Sequence, residues 1–176
     1  LQALQLHEKE DARIEWENII EQPKFVENFD LMKFDVVLSN YIFGYHQSFK
    51  VDQKKDPYNR FHRGVPQNSA DYIFISHTIE SAVEKKGRVG VILTQGILSR
   101  MSTEGKIRKK LVEENLVDTV IGLPGNLFYG ANVGAVILIL KKGKQDTNVL
   151  FVDASREYEA GRNQNKLMPL QIEKIL

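Results

Sequence analysis

Short runs of apolar residues alternate along this chain with longer amphipathic or polar stretches. Three runs are rich in β-branched residues and bounded by turn-forming residues: Phe34–Leu38, Val89–Leu93 and Val133–Leu140. Two weaker runs, Val117–Gly122 and Val149–Val152, have the same character. Because their hydrophobicity is continuous rather than alternating, the pattern predicts strands covered on both faces, as in a parallel sheet between helices.

The stretch between the first two strands has helical periodicity. Its apolar stripe consists of Tyr72, Ile75, Ile79 and Val83. Asn68 or Ser69 is the predicted N-cap, and Gly87 is the predicted stop.

A second helix is predicted between Leu93 and Val117, with Ser102 or Thr103 as its N-cap and Glu104 in its first turn. Its predicted inward-facing side chains are Ile107, Leu111, Val112 and Leu116.

Alternating strands and helices predict an α/β domain with a mainly parallel sheet. The link from Pro124 to Gly134 is too short for a helical crossover, so the strand near the C-terminal side, Val133–Leu140, should be antiparallel to its neighbour. We divide the chain into an N-terminal segment (1–30), a main domain (31–154) with a long loop at 44–68, and a polar tail with a short helix (155–176). We expect residues 1–30 to be partly helical and to cover the sheet edge at Phe34–Leu38, or a second copy of the chain to pair with it.

Composition excludes several classes of protein. The 176 residues are 42% apolar and 27% charged, with a net charge of +1 and no cysteine. These values are typical of a globular protein, and they exclude disulfides and thiolate metal sites. No apolar run is long enough to span a bilayer, and the N-terminus does not resemble a signal peptide. We therefore expect a cytoplasmic protein without membrane contact.

The ends of the predicted parallel strands carry the candidate chemistry. Asn40, Thr94–Gly96 and Pro124–Asn126 each follow a strand, and ligands of open α/β sheets bind at that edge. Leu123–Gly130 forms either one wall of a ligand pocket or an ordinary turn with a buried Leu127 and Phe128, and both interpretations stay open.

Several segments together carry a family resemblance that covers most of residues 11–176. Phe34–Gly44 resembles the Asn-Pro-Pro-Phe segment of N6-adenine DNA methyltransferases, especially the modification subunits of type I restriction systems. Further similar segments are Ala70–His77, Gly87–Arg100, Gly105–Leu111, Val120–Gly130, Val149–Ser155 and Gly161–Asn165.

The resemblance implies the C-terminal part of a Rossmann-like, S-adenosylmethionine-dependent methyltransferase domain. The implied reaction transfers a methyl group from S-adenosylmethionine to adenine N6 in DNA. Asn40 would accept the N6 hydrogens, and Phe43 would stack on the extruded base. Tyr41, Ile42 and Gly44 would complete the target-base loop. The implied partners are DNA and the specificity and restriction subunits.

Two departures from the family pattern bear on activity. Tyr41 and Ile42 replace two prolines that stiffen the loop. Residues 1–33 contain no glycine, whereas the family binds its cofactor at a Gly-rich turn; Asn18 is the one candidate for a cofactor contact. We therefore expect this chain alone to bind no S-adenosylmethionine and to be inactive.

The 44–68 loop is the better candidate for DNA contact because aromatic residues interleave with its basic ones. The predicted DNA-binding residues are Lys54, Lys55, Arg60 and Arg63. The histidines and aspartates of the loop match no metal-ligand spacing, so no metal is predicted.

Two alternatives to an enzyme remain. One is a non-catalytic remnant that binds DNA or a partner, which both departures favour. The other is an unrelated α/β scaffold protein, which the resemblance of many segments disfavours.

Overall fold

The computed structural model describes residues 12–40, 51–67, 69–128 and 133–176. In chain order the elements are strands β1 (Val26–Glu27), β2 (Asp30–Leu31) and β3 (Val36–Asn40), helix α1 (Asp71–Glu80), strand β4 (Arg88–Thr94), helix α2 (Ser102–Glu113), strands β5 (Val117–Gly122), β6 (Ala135–Lys141) and β7 (Leu150–Asp153), and helix α3 (Pro169–Ile175). Short 3₁₀ helices lie at Gln53–Lys55 and Gln95–Leu98.

A five-stranded sheet of order β3-β4-β6-β5-β7 organises these residues. Strand β3 is parallel to β4, and β5 is parallel to β7. Strand β6 is antiparallel to both of its neighbours, β4 and β5. Four strands therefore point in one direction, and the prediction of a single reversed strand near the C-terminal side is confirmed.

The continuous apolar runs are explained by cores on both faces of the sheet. Successive side chains of a strand point to opposite faces. Val120 belongs to the larger cluster, under α1 and α2, whereas its neighbour Ile121 belongs to a second cluster. The second cluster is covered by Leu167 and Ile175 of the C-terminal segment.

Helix α1 ends earlier than the sequence predicts. The helix stops at Glu80, and the prediction that it continues through Val83 to Gly87 is wrong. The physical reason is a pairing with a distant segment: Phe34 N–H donates to the Ser81 carbonyl, and Val83 N–H donates to the Phe34 carbonyl, both at 2.9 Å. These bonds pull the backbone out of the helix and beside the start of β3.

The helix N-termini also differ in detail from the predicted caps. Ala70 occupies the N-cap position of α1, and Asn68 lies outside the described residues. The Ser69 hydroxyl still accepts from Asp71 N–H at 3.2 Å. Helix α2 has Met101 at its N-cap, so Ser102 is its first helical residue rather than its cap.

Of the four side chains predicted to face inward from the second helix, three are buried, although Leu116 lies beyond the end of α2. Ile107, Leu111 and Leu116 are buried. Val112 is 57% exposed, so its predicted burial is wrong. It directly follows Leu111, and adjacent helical residues face different directions.

Strand β3 forms one edge of the sheet, and within the described ranges no strand pairs with its outer side. Leu38 is 80% exposed there. Residues 12–30 contain turns and the β1–β2 hairpin rather than a helix, and they contact the start of β3, where the rings of Phe25 and Phe34 meet edge to face at 5.9 Å. Whether residues 1–11 cover the edge stays a prediction, because they lie outside the described residues.

In the part of the chain that the structure describes, no helix combines the length and the apolar character needed to cross a bilayer.

Candidate functional site

The C-terminal ends of four strands lie along one edge of the sheet. Because β3, β4, β5 and β7 run in the same direction, their last residues, Asn40, Thr94, Gly122 and Asp153, lie along a common edge. The loop after β5 starts at this edge too. The predicted convergence of the three strand ends is therefore confirmed by the sheet.

Asn40 is the last residue of β3 and lies opposite Ile92 of β4. Asn40 is exposed, so the oxygen and the nitrogen of its side-chain amide are accessible to a ligand. The segment predicted to be the target-base loop follows it in the sequence. Tyr41, Ile42, Phe43 and Gly44 lie outside the described residues, and their roles stay predictions.

Two adjoining cavities form a groove along the same edge. The first, of about 640 Å³, lies at the end of β4 and is lined by Thr94, Gln95 and Arg100 among others. The second, of about 560 Å³, shares Gln95 with the first and reaches Asp153. The groove is thus large enough for a group the size of a nucleobase.

Arg100 joins three elements beside the first cavity. Its guanidinium forms an ion pair with Asp71 at the start of α1, and it donates to Thr94 Oγ1 at 3.2 Å. Glu104 of α2 lies 3.5 Å away. Partial burial acts to lower the pKa of Arg100, but the hydrogen bond and charge of Asp71, together with Glu104, raise it overall. The side chain is therefore a fixed cation that holds the groove wall, a role that the sequence prediction missed although Arg100 closes a segment of the family resemblance.

Asp153 lies at the far end of the groove. The hydroxyl and the backbone N–H of Ser155 donate to its carboxylate and hold the pKa of Asp153 below its usual range. Asp153 is therefore a carboxylate at neutral pH.

The structure places the two predicted DNA-binding arginines inside the protein. The Arg60 side chain is 4% exposed and pairs with Asp56 at 2.8 Å. The Arg63 side chain is 5% exposed and pairs with Glu80 at 2.7 Å and Glu114 at 2.6 Å. Guanidinium groups that are buried and neutralised in this way cannot reach DNA phosphates, so this part of the prediction is corrected.

Lys54 and Lys55 of the same loop are exposed on the short 3₁₀ helix. Asp52 caps this helix by accepting from Lys54 N–H at 3.0 Å, and its carboxylate lies 3.6 Å from the Lys55 ammonium. Both ammonium groups face solvent, and their contact with DNA stays a prediction.

His77 is a buried residue of α1. Arg60 Nη1 lies 3.2 Å from His77 Nδ1, which requires the ring nitrogen to accept and the imidazole to be neutral. Burial lowers the pKa of His77 to about 4, and the adjacent Arg60 charge adds to this effect. Among the residues that the structure describes, no group of three or more metal-ligating side chains is arranged to hold an ion.

The described residues do not fit S-adenosylmethionine. Asn18 is engaged locally, since its Oδ1 accepts from Ile20 N–H at 3.2 Å and caps a turn. A cavity of about 450 Å³ beside β3 has the rings of Phe25 and Phe34 in its wall, and Glu17 Oε2 is buried there without a hydrogen-bond partner in the described ranges. The same wall also contains the charged Arg13 and the polar Ser39. No glycine occurs among residues 12–33, however, so the Gly-rich turn expected to bind this cofactor is absent from the described residues before β3.

The fold and the groove at the ends of its strands indicate the class of protein to which the chain belongs. A strand order with one reversed strand, helices on the sheet and polar strand ends at one edge is the partial Rossmann-like arrangement of S-adenosylmethionine-dependent methyltransferases. A solved type I restriction-modification methyltransferase subunit from Streptococcus thermophilus superposes with a TM-score of 0.80 at 32% identity, over 90% of this chain and 33% of its own. A modification subunit of a putative type I restriction enzyme from Vibrio vulnificus has the same fold, with a TM-score of 0.69 at 18% identity.

The family is defined by the sequence comparisons. A family model described as N-6 DNA Methylase matches residues 3–176, and the chain belongs to this family. The MpnII methylase subunit of Mycoplasma pneumoniae is 36% identical over 149 residues, which are 81% of this chain and 27% of the relative. The MjaVII methylase subunit of Methanocaldococcus jannaschii is 37% identical over 127 residues, which are 68% of this chain and 22% of the relative. The chain thus spans only about a quarter of these relatives.

Proposed function

We propose that this chain is the target-base part of an N6-adenine DNA methyltransferase subunit of a type I restriction-modification system. The observation that carries the proposal is Asn40, whose exposed amide lies at the ligand-binding edge of a member of the N-6 DNA methylase family. The relatives are methylase subunits of type I restriction enzymes, which supports the assignment of system.

The chemistry of adenine explains why an asparagine is needed at this position. The lone pair of N6 is delocalised into the ring, so the amino group is a poor nucleophile. The Asn40 side-chain carbonyl and a following backbone carbonyl accept the two N6 hydrogens and orient the lone pair. Phe43 stacks on the extruded base. S-adenosylmethionine, the methyl donor of the family, would supply the methyl group when bound.

DNA approaches from the side of Lys54 and Lys55. Their exposed ammonium groups suit phosphate contacts, whereas the charge of Asp52 reduces the local positive potential. Sequence specificity and cleavage come from separate specificity and restriction subunits in this proposal, and the cytoplasm is the expected compartment.

The open edge of β3 supports association with a second copy of the chain. The edge strand contains no proline, lysine or glutamate, residues that commonly block edge pairing. Val36 and Leu38 expose apolar side chains beside backbone groups that no strand within the described ranges pairs. Pairing of two copies through β3 would cover both.

Replacement of Asn40 tests the proposed reaction. In the assembled methyltransferase, Asn40→Ala should lower methyl incorporation into DNA by a factor on the order of 10² or more, because a hydrogen-bond acceptor at the reacting group is lost. Asn148→Ala is the matched control. Asn148 is an exposed asparagine just before the start of β7, so it lies at the other end of the strands from Asn40. Equal activity of the two variants would contradict the role of Asn40.

The second candidate function is a non-catalytic module that binds DNA or a partner. The observation that favours it is the poor fit of the described residues to the cofactor. Calorimetric titration of the chain with S-adenosylmethionine separates the two: no heat of binding, together with retained DNA binding, supports the module, and a dissociation constant on the order of micromolar supports an enzyme.

A further inference from the structure

The loop after β5 is held by amide groups from a segment almost forty residues later in the chain. We call residues 123–128 the β5 loop and residues 161–165 the strap. Asn165 Nδ2 donates to the Gly125 carbonyl at 2.9 Å, and Asn165 N–H donates to the Asn126 carbonyl at 2.9 Å. Gln164 Nε2 donates to the Leu127 carbonyl. Three consecutive carbonyls of the loop are therefore satisfied by the strap.

The β5 loop needs such partners because of its backbone conformation. Asn126 has a φ of 57°, in the left-handed region that asparagine tolerates better than most residues. Its own side chain returns a bond, with Nδ2 donating to the Asn163 carbonyl at 3.4 Å. Residues 125–127 are partly buried and lie outside helix and strand, so these bonds satisfy carbonyl groups that regular secondary structure leaves unpaired.

The strap is itself closed and anchored. Glu159 N–H donates to the Lys166 carbonyl at 2.9 Å, and Lys166 N–H donates back at 3.0 Å. Gly161 allows the tight turn between them, because a Cβ there would lie 2.2 Å from the Gln164 carbonyl oxygen. Just beyond the strap, Leu167 packs against the same apolar cluster as Leu127 and Phe128.

We call the hydrogen bonds between the strap and the β5 loop the clamp. The clamp matters for function because of where the β5 loop lies. The loop leaves β5 at the edge that also carries Asn40, and Leu123 and Gly125 line the groove. Leu127 and Phe128 are partly buried and anchor the loop by packing against the second apolar cluster. Any displacement of the loop therefore reshapes the groove wall.

We propose that the strap is a positioning element, and that Asn165 and Gln164 are positioning residues that fix the β5 loop as one wall of the target-base site. This inference rests on the proposed function for the identity of the site, but not for the clamp itself. The strap touches no reacting atom and acts only through the loop.

Isosteric variants test the clamp directly. Asn165→Asp keeps the shape of the side chain and removes the Nδ2–H donor. Asn163→Asp is the matched control: it adds the same charge two residues earlier, on an exposed side chain that makes no hydrogen bond within the described residues, and it keeps the backbone carbonyl that Asn126 uses. Amide hydrogen exchange of residues 123–128 should accelerate about tenfold in Asn165→Asp and stay unchanged in Asn163→Asp. Equal exchange in the two variants would overturn the clamp.

Kinetics of the assembled methyltransferase test the positioning role. Asn165→Asp should lower kcat about tenfold while DNA affinity stays within twofold, because a misplaced wall affects orientation more than phosphate contact. The double variant Gln164→Ala/Asn165→Gln lacks the Gln164 donor and carries a longer side-chain amide at position 165. A kcat equal to that of the unaltered enzyme in this double variant would contradict the need for donors at defined positions. Faster loop exchange with an unchanged kcat would overturn the positioning role and leave the proposed function intact. If the unaltered enzyme transfers no methyl group, the proposed function fails, and the exchange experiment alone decides the clamp.

Discussion

Acidification should destabilise this protein through His77. His77 is a buried residue of α1, and Arg60 of the 51–67 loop donates to its Nδ1. Protonation would place a second positive charge 3.2 Å from the guanidinium and remove the acceptor. The groups that act on His77 also include the Asp56 carboxylate, which favours protonation, and Lys33, which opposes it.

The expected magnitude follows from the difference between the folded and unfolded pKa of His77. The folded value is about 4 and the ordinary value is 6.5. Because the folded pKa is depressed, the unfolded state takes up the proton first, so stability is fully present above pH 6.5 and is lost as the pH falls towards 4. At 1.36 kcal/mol per pKa unit, the free energy of unfolding should fall by about 3 kcal/mol across this window.

Urea unfolding at a series of pH values measures this effect. His77→Gln keeps an acceptor for Arg60 and removes the titration, so its stability should fall less than that of the unaltered chain between pH 7 and 4.5, by about 2 to 3 kcal/mol. Carboxylates contribute equally to the pH dependence of both proteins, so the difference between the unaltered chain and His77→Gln reports the contribution of His77. His62→Gln, a change at a partly exposed histidine, is the control.

Parallel pH profiles for the unaltered chain and His77→Gln would refute the reasoning. Such a result would mean that water or a rearranged Asp56 compensates the imidazolium. A direct titration of the His77 ring by NMR with a midpoint near 6.5 would refute it independently.

Three further predictions concern charge and the sheet edge. Arg63→Met should lower the free energy of unfolding by about 3 to 5 kcal/mol in urea titrations, because two acidic partners lose their cation; a change below 1 kcal/mol would contradict a structural role. Lys54→Ala/Lys55→Ala should reduce the slope of log affinity for DNA against log salt concentration by about 2, as measured by fluorescence anisotropy, and an unchanged slope would remove these lysines from the DNA contact. Leu38→Lys should convert an oligomer of the chain into a monomer in sedimentation experiments, and an oligomer that persists would exclude pairing through β3.

Patterns of apolar residues predicted most of the fold because strand formation and burial depend mainly on neighbouring residues. Continuous apolar runs require cover on both faces, and all five predicted strands are present within one to two residues of their bounds. The end of α1 was missed because its cause, the bonds between Phe34 and the segment around Ser81, joins residues almost fifty positions apart.

For the candidate site, the resemblance to a family supplied the role of Asn40, and the sheet placed it on the strand next to Thr94 and at the same end of the strands as Asp153. Without the resemblance, composition and spacing would have identified Asn40 only as the last residue of a strand. Arg100 was missed because a single arginine after a strand has no distinctive pattern until Asp71 and Glu104 are brought beside it.

The sequence by itself determined the strands, the reversed direction of β6 and the edge at which the chemistry is expected, since apolar periodicity and link length constrain these within a few dozen residues. Only the tertiary structure decided which charges are available. Arg60 and Arg63 lie in a basic, aromatic loop, yet distant segments bury them. Arg60 donates to the Ile19 and Ile20 carbonyls, and Arg63 pairs with Glu114, which is 51 positions away. Burial of a charge depends on where its counter-ion lies in space, and a linear pattern does not contain that distance. The same holds for the strap, whose donors and acceptors meet only after β5 and the C-terminal segment have packed together.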